Sequence, residues 1–251
     1  MCSSDLLYLM QFAMAFKIIG VLLILFSTAM LPSLTLSLIG NDGAEASFAI
    51  GFGATLLAGV LLWLPTRHFR RDLNIRDGFL VTALFWIVLG LFGALPFWLS
   101  PVLSLSPVAA IFESISGLTT TGATVITGLD DLPRSLLLYR QLLQWLGGIG
   151  IIVLAVAILP MLGIGGMQLY RAESAGPSKD RKLTPRITST AKALFGIYLL
   201  LRMACAASYF AAGMSGFDAI SHAFSTVAIG GFSTHDASLG YYPQSSILFV
   251  S

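Results

Sequence analysis

The sequence predicts an all-α integral membrane protein with a two-helix preface. Repeats of helix, short pore-type helix, filter-like loop and helix follow, and the second repeat is truncated. Three observations predict this fold: an apolar composition, five long apolar runs, and a segment that occurs twice. The 251 residues are 56% hydrophobic and only 10% charged, with a mean hydropathy of +0.86. Because globular domains carry about 25% charged residues, lipid is the expected solvent.

Five apolar runs are long enough, or nearly so, to cross roughly 30 Å of hydrocarbon. They lie at about 18–39, 48–64, 78–99, 135–163 and 187–212. The first follows Lys17 and has small residues near its middle, so a cleaved signal peptide is the alternative reading. We expect a retained membrane helix instead, because the apolar character continues to Ile39.

The repeated segment separates these spans. Its first copy begins at Ala110 and its second at Ala219, 109 positions later, and both open with Ala-Ile. The surrounding segments, 107–133 and 216–242, each hold an apolar run of about a dozen residues and then glycine and hydroxyl residues. A run of that length suits a re-entrant half-helix better than a complete span.

The same offset predicts the organisation of the chain. The spans near 78 and 187 correspond, and an apolar run near Ser245 would correspond to the span after Pro133. That run meets Ser251, so we expect the chain to be the N-terminal part of a longer protein. The expected units are a preface at 1–77, a first repeat with its following loop at 78–186, and an incomplete second repeat at 187–251.

Charge is distributed unequally between alternate loops. The loops after the second and fourth spans carry the basic residues Arg67, Arg70, Arg71, Arg76, Arg171, Lys179, Arg181, Lys182 and Arg186. The other loops carry Asp42, Glu45, Asp130, Asp131, Asp218 and Asp236, with one base, Arg134. The positive-inside rule then predicts a cytoplasmic N-terminus and re-entrant segments that enter from outside.

The loops have the composition that coordination of a dehydrated cation requires. Backbone carbonyl groups can replace the water shell of potassium, and glycine allows the unusual backbone angles that aim them. Residues 119–123 read Thr-Thr-Thr-Gly-Ala, and 228–232 read Ala-Ile-Gly-Gly-Phe. The short helix before each loop would point its partly negative C-terminal end at the ion.

Residues 112–124 closely resemble the first pore loop of the Trk/Ktr/HKT potassium transporters. Residues 141–150, 165–173 and 228–236 resemble its bacterial TrkH branch, and the resemblance covers essentially the whole chain. It implies potassium uptake across the bacterial inner membrane through a pore of four repeats, two of which would lie outside this chain. The filter residues that it implies are Thr120, Thr121, Gly122, Ile229, Gly230 and Gly231.

The resemblance also implies partners. Family members form homodimers and bind a cytoplasmic nucleotide-sensing ring of the TrkA type. We expect the basic segment 171–186 to contact that ring or anionic lipid. Potassium is the only expected metal ion, and we expect no cofactor, no nucleic-acid partner and no enzymatic activity.

Two other functions fit parts of the sequence. Residues 213–216, Gly-Met-Ser-Gly, resemble the serine motif of rhomboid proteases, with His222 and His235 nearby. A symporter that couples sodium or protons to potassium would need an intramembrane carboxylate, for which Glu113 is the candidate. Two arginines also lie within apolar runs: we expect Arg140 to reach outward to the interface, and Arg202 to pair with Glu113 or to face a water-filled vestibule.

Overall fold

Helices form every regular element in the described part of the chain. The computed structural model describes residues 3–68, 75–157, 180–243 and 247. Within these residues, two short 3₁₀ helices, Leu129–Asp131 and Ser238–Tyr241, accompany nine α-helices. The α-helices are α1 (Ser3–Thr28), α2 (Leu31–Gly40), α3 (Glu45–Thr66), α4 (Ile75–Gly93), α5 (Leu95–Leu99), α6 (Pro107–Leu118), α7 (Arg134–Ala157), α8 (Asp180–Ala211) and α9 (Gly216–Val227).

Four segments of the described residues are long and apolar enough to cross a membrane. They are Ala13–Gly40, Glu45–Thr66, Leu80–Leu99 and Ser189–Ala211. They confirm the predicted all-α membrane fold and match four of the five expected spans. The remaining span, 135–163, coincides with α7 as far as Ala157, and residues 158–163 lie outside the described residues.

The first and third predicted spans are not single helices. The first breaks at Ala29–Met30 and the third at Ala94. In both cases a proline, Pro32 or Pro96, stands in the first turn of the second piece. Proline has no backbone N–H to donate to the preceding turn but is tolerated at a helix start. Helices α1 and α8 also begin earlier than the apolar runs that predicted them.

Helices α1 and α3 cross at a pair of glycines. A methyl group on Gly20 would lie 2.9 Å from the Gly59 carbonyl oxygen, and one on Gly59 would lie 2.9 Å from the Gly20 carbonyl oxygen. The two backbones therefore approach each other closely at these glycines, as small residues permit in membrane helices.

An aromatic cluster joins the preface to α7. The Tyr139 ring packs edge-on against Phe48, with 5.4 Å between centroids, and at a tilt against Phe97, with 5.1 Å between centroids. Its hydroxyl group donates a 3.0 Å hydrogen bond to the Gly93 carbonyl oxygen at the end of α4. This bond satisfies one of the carbonyl groups that a helix end leaves open, and it fixes α7 beside the α4–α5 break.

Several expectations concern segments outside the described residues. These include Arg70 and Arg71, the motif 165–173, and the apolar run from Ser245 except for Ile247. The proposed contact segment 171–186 also lies outside them as far as Lys179; from Asp180 its backbone forms the start of α8.

Candidate functional site: two paired loops

Helices α6 and α9 are equivalent elements. Each has 12 residues, and their starts, Pro107 and Gly216, lie at the offset of the sequence repeat. A helix of 12 residues is about 18 Å long, too short to cross roughly 30 Å of hydrocarbon. Both begin with a serine N-cap: the Ser106 hydroxyl oxygen accepts from Ala109 N at 3.3 Å, and the Ser215 oxygen accepts from Asp218 N at 3.1 Å.

The loop after each helix has positive φ angles at alternate, equivalent positions. In the first loop Thr120 has φ +55° and Gly122 has φ +74°; in the second, Ile229 has φ +55° and Gly231 has φ +80°. Threonine and isoleucine are β-branched, and such residues rarely adopt positive φ. The strain costs about 1–2 kcal/mol per residue, and strained backbone clusters at functional sites.

The start of each loop is held by its own helix through equivalent bonds. Thr120 N donates to the Gly117 carbonyl oxygen at 3.0 Å, and Ile229 N donates to that of Thr226 at 3.0 Å. The next amide in each loop donates 2.9 Å bonds to the serine carbonyl at 116 or 225. These bonds force the chain to turn sharply at both helix ends.

The two loops touch each other through glycines. A methyl group on Gly122 would overlap the carbonyl oxygen of Gly230 and would lie 3.3 Å from the α-carbon of Gly231. The structure therefore brings all six predicted filter residues into one pair of adjacent loops. Gly230 is buried, whereas Ile229 is 89% exposed.

A buried ion pair lies behind the first loop. Arg140 Nε donates to Glu113 Oε1 at 2.8 Å, and both side chains are almost fully buried. The Glu113 carboxylate also accepts from the Thr124 hydroxyl at 2.9 Å and from Val125 N at 3.1 Å. The expectation that Arg140 reaches outward is therefore wrong, because a carboxylate on α6 lies within its reach.

Arg140 also joins the two loops. Its Nη2 atom donates to the Thr124 hydroxyl oxygen at 3.1 Å, and its Nη1 atom donates to the Ser233 carbonyl oxygen at 3.0 Å. The guanidinium carbon lies 4.3 Å from the centre of the Phe232 ring. One side chain from the first repeat thus holds both loops at their outer ends.

His222 takes the place of Glu113 in the second repeat. Its Nε2 lies 3.0 Å from the Ser233 hydroxyl oxygen, and its Nδ1 lies 2.9 Å from the Asp218 carbonyl oxygen. Ser233 is the counterpart of Thr124, so a side chain on the short helix contacts the loop hydroxyl in both repeats. Only the first repeat has an arginine in this network among the described residues.

Gln144 reaches the second loop one helical turn after Arg140. Its Nε2 donates to the Gly230 carbonyl oxygen at 2.7 Å, and its Oε1 accepts from Phe232 N at 3.3 Å. A further turn along α7, a methyl group on Gly147 would overlap the Leu118 carbonyl oxygen. The same helix therefore packs against the end of α6 and braces the opposite loop.

Outside the two loops, three aspartate side chains accept hydrogen bonds from backbone N–H groups or from neighbouring side chains. The Asp236 carboxylate accepts from Gly128 N at 3.1 Å and from Leu129 N at 3.0 Å. Asp130 accepts from His235, and this bond holds the pKa of Asp130 below its usual value. Partial burial alone would raise the pKa of Asp218, but bonds from Ser215 and Thr234 leave it lowered. Asp236 and Asp130 thus tie the two repeats together.

Arg202 does not pair with Glu113. Its guanidinium carbon lies 3.6 Å from the centre of the Phe224 ring and 4.7 Å from that of Trp145. The side chain is 3% exposed, and its Nε and NH2 atoms have no hydrogen-bond partner in the described part of the chain. It therefore lies in an aromatic cage between α7, α8 and α9.

The geometry around Ser215 excludes the protease reading. The Ser215 hydroxyl group donates to Asp218 Oδ2 at 2.7 Å while it caps α9. Both ring nitrogens of His222 are engaged elsewhere, and His235 faces Asp130 and Asp218. A serine nucleophile needs a histidine base within hydrogen-bond reach, and Ser215 has an aspartate instead.

The sequence prediction assigned no role to Gln144 and did not pair Arg140 with Glu113. One signal was available: Arg140 and Gln144 are four residues apart, which puts two polar side chains on one face of an apolar helix.

The described residues hold no group of three or more histidine, cysteine, aspartate or glutamate side chains arranged for a metal ion.

A duplicated short helix and glycine loop, set among membrane-spanning helices, defines an integral membrane protein of the ion-transport class. The sequence matches the family described as "TrkH: Cation transport protein" over residues 44–251. The chain belongs to this family of transport proteins, which agrees with the prediction that it is not an enzyme.

Similar proteins include annotated transporters and a solved structure. The chain is 60% identical over 241 residues to the Trk system potassium uptake protein TrkH of Halomonas elongata, covering 96% of this chain and 50% of that protein. It is 56% identical over 238 residues to TrkH of Escherichia coli, covering 95% and 49%. The crystal structure of the potassium transporter TrkH from Vibrio parahaemolyticus superposes with a TM-score of 0.84 at 52% identity, covering 96% and 48%. The chain thus spans about half the length of the relatives it matches.

Proposed function

We propose that this chain takes part in potassium uptake through a selectivity filter to which its two loops contribute. The observation that carries the proposal is the equivalent backbone geometry of Thr120–Gly122 and Ile229–Gly231, which lie side by side. Two duplicated loops in contact can face a common axis, as a pore requires. The potassium uptake relatives support potassium as the ion.

The ion ligands would be oxygens of these loops. Backbone carbonyls and threonine hydroxyls can replace the water around potassium without adding a fixed charge. Thr120, Thr121, Gly122, Ile229, Gly230 and Gly231 are the residues we assign to this role. The ends of α6 and α9 would add the partial negative charge of their carbonyl groups.

Passive conduction is favoured over coupled symport. Symport needs a carboxylate that can bind and release the driving ion. Glu113, the carboxylate that the sequence suggested, is fully buried and is bonded to Arg140, Thr124 and Val125 N. Release of Glu113 from Arg140 would leave a buried charge without a partner, which costs about 3–5 kcal/mol.

The rest of the assembly follows from the same proposal. The protein would lie in the bacterial inner membrane with its N-terminus in the cytoplasm, as the basic loops predict. It would form a homodimer and bind a cytoplasmic nucleotide-binding regulatory subunit of the TrkA type. Membrane lipid would surround its exposed apolar helices.

Ion flux into liposomes tests the proposal. The full-length protein that carries this chain would be purified and reconstituted into liposomes, and potassium and sodium entry would be followed at the same inside-negative voltage. We expect potassium to enter faster than sodium, and no entry into empty liposomes. Equal entry of both ions, or none above that control, would overturn the proposed filter.

A further inference from the structure

We infer that Gln144 is a positioning residue that sets the ion selectivity of the second loop. The inference rests on the proposed filter and deepens it. It locates the control of the second repeat's loop on a helix that belongs to the first repeat. The second loop would then depend on the first repeat for its ion-binding shape.

The first argument is the pair of bonds that Gln144 makes. Its amide group donates to the Gly230 carbonyl oxygen at 2.7 Å and accepts from Phe232 N at 3.3 Å. Gly231, which has φ +80°, lies between these two bonded residues. The amide therefore fixes the backbone on both sides of the left-handed residue, and Gly231 has little freedom to rotate.

The second argument is the fit of Gln144 against Gly230. A methyl group on Gly230 would lie 2.5 Å from Gln144 Oε1 and 2.6 Å from Nε2. Glycine at 230 lets the amide approach the backbone directly. The Gln144 side chain is fully buried, so both of its bonds are protected from water and stay made.

The third argument is that, within the described residues, the loop's own short helix bonds to the loop only near its two ends. Gly230 N donates to the Ser225 carbonyl oxygen at 2.9 Å, and Ile229 N donates to that of Thr226, but both bonds hold the start of the loop. The following residues, Gly230 O to Ser233 O, are bonded to Gln144 and Arg140 on α7. In the described part of the chain, the short helix reaches the end of the loop through His222 and Ser233. The support for the Gly230 carbonyl group and for Phe232 N therefore comes from the other repeat.

Loss of the Gln144 bonds would affect ion selectivity through the positions of the loop oxygens. A filter separates potassium from sodium by the position and number of its oxygens. A loop that loses its brace can close around the smaller ion, so discrimination falls even when the protein remains folded. A side chain that only filled space would affect folding but not the ratio of the two ions.

Gln141 provides a matched control on the same helix. It is the same residue type and is fully buried, but neither atom of its amide group has a hydrogen-bond partner in the described residues. Gln141→Met removes an unsatisfied amide, which is often neutral or stabilising. Gln144→Met has nearly the same shape change and removes both loop bonds.

The test compares potassium and sodium permeability in reconstituted wild type, Gln144→Met and Gln141→Met, with thermal unfolding of each in detergent. We expect Gln144→Met to lower the potassium-to-sodium ratio by about tenfold, the factor expected when one or two neutral hydrogen bonds are lost. Gln141→Met should keep the wild-type ratio. An unchanged ratio in folded Gln144→Met would overturn the inference.

A second variant covers the case in which Gln144→Met does not fold. Gln144→Asn keeps the amide group but is one carbon shorter, so it cannot reach both backbone partners. We expect an intermediate loss of selectivity, and a wild-type ratio in this variant would also overturn the inference. If the wild type itself does not discriminate between the ions, the proposed filter fails, whatever the variants do.

Discussion

Glu113 and His222 stand 109 positions apart, and each contacts the hydroxyl group at the end of its own loop. Glu113 accepts from the Thr124 hydroxyl at 2.9 Å, and His222 Nε2 lies 3.0 Å from the Ser233 hydroxyl oxygen. The two repeats therefore share a geometry that does not depend on the same residue types. Among the described residues, only the first repeat adds an arginine to this network, and that arginine, Arg140, also binds the second loop.

Breaking this ion pair should destabilise the protein severely. Arg140→Met leaves the Glu113 carboxylate buried without its partner, and we expect a loss of about 3–5 kcal/mol in the free energy of unfolding. Denaturant unfolding in detergent would measure it. The double variant Glu113→Leu/Arg140→Met removes both charges, so it should be more stable than Arg140→Met. A double variant that is less stable would contradict a role as paired charges.

Gly122→Ala should disrupt the contact between the loops. The added methyl group would overlap the Gly230 carbonyl oxygen, and alanine would also be strained at φ +74°. Gly128 is a matched control, because it has φ +73° but no atom within 4 Å of its would-be methyl group. We expect Gly122→Ala to lower the unfolding temperature more than Gly128→Ala. Equal shifts would mean that backbone strain alone, and not the loop contact, determines the cost.

Gly59→Val should separate α1 from α3. A side chain there meets the Gly20 carbonyl oxygen and Ile24 N, each at 2.9 Å, whereas Gly53 on the same helix has open space. Both variants undergo the same change in helix propensity, so the difference between their stabilities measures the effect of the helix contact. We expect Gly59→Val to be about 1–3 kcal/mol less stable than Gly53→Val. Thermal unfolding of the two proteins would measure it.

The bridge between Asp130 and His235 should weaken in acid. Its hydrogen bond lowers the pKa of Asp130 below the ordinary value of 3.8 in the folded protein. A carboxylate whose pKa is lower in the folded than in the unfolded protein stabilises the fold at a pH above its unfolded pKa. This stabilisation is lost as the pH falls through the pKa of the folded protein. The difference in unfolding temperature between wild type and Asp130→Asn should thus be larger at about pH 5 than below about pH 4. A difference that increased in acid would contradict this sign.

The repeat offset predicted more of the site than the apolar runs did. It located the two segments in which α6 and α9 form, because their composition is local and duplicated. It did not predict the partner of Arg140, since that contact joins α6 to α7 across 27 residues. The surroundings of Arg202 were also not predicted. Its guanidinium group lies over the faces of Phe224 and Trp145, and no sequence pattern indicates that these two rings meet around it.

The apolar pattern did not predict the helix breaks either. Pro32 and Pro96 were visible, but hydropathy alone continues across them, and proline is tolerated in membrane helices where neighbours satisfy the backbone. In both cases the chain starts a new helix at the proline. The break near Gly93 is stabilised by the Tyr139 hydroxyl group, a contact across 46 residues that the sequence does not reveal.

The potassium-to-sodium permeability ratio of Gly231→Ser tests the central claim most directly. Gly231 has φ +80° with no atom within 4 Å of its would-be side chain, so serine changes the loop backbone without a clash in the described structure. We predict that reconstituted Gly231→Ser remains folded and passes potassium with reduced discrimination against sodium, whereas Gly128→Ser, at a similar φ outside the two loops, keeps the wild-type ratio. A wild-type ratio in folded Gly231→Ser would contradict the assignment of these loops as the filter.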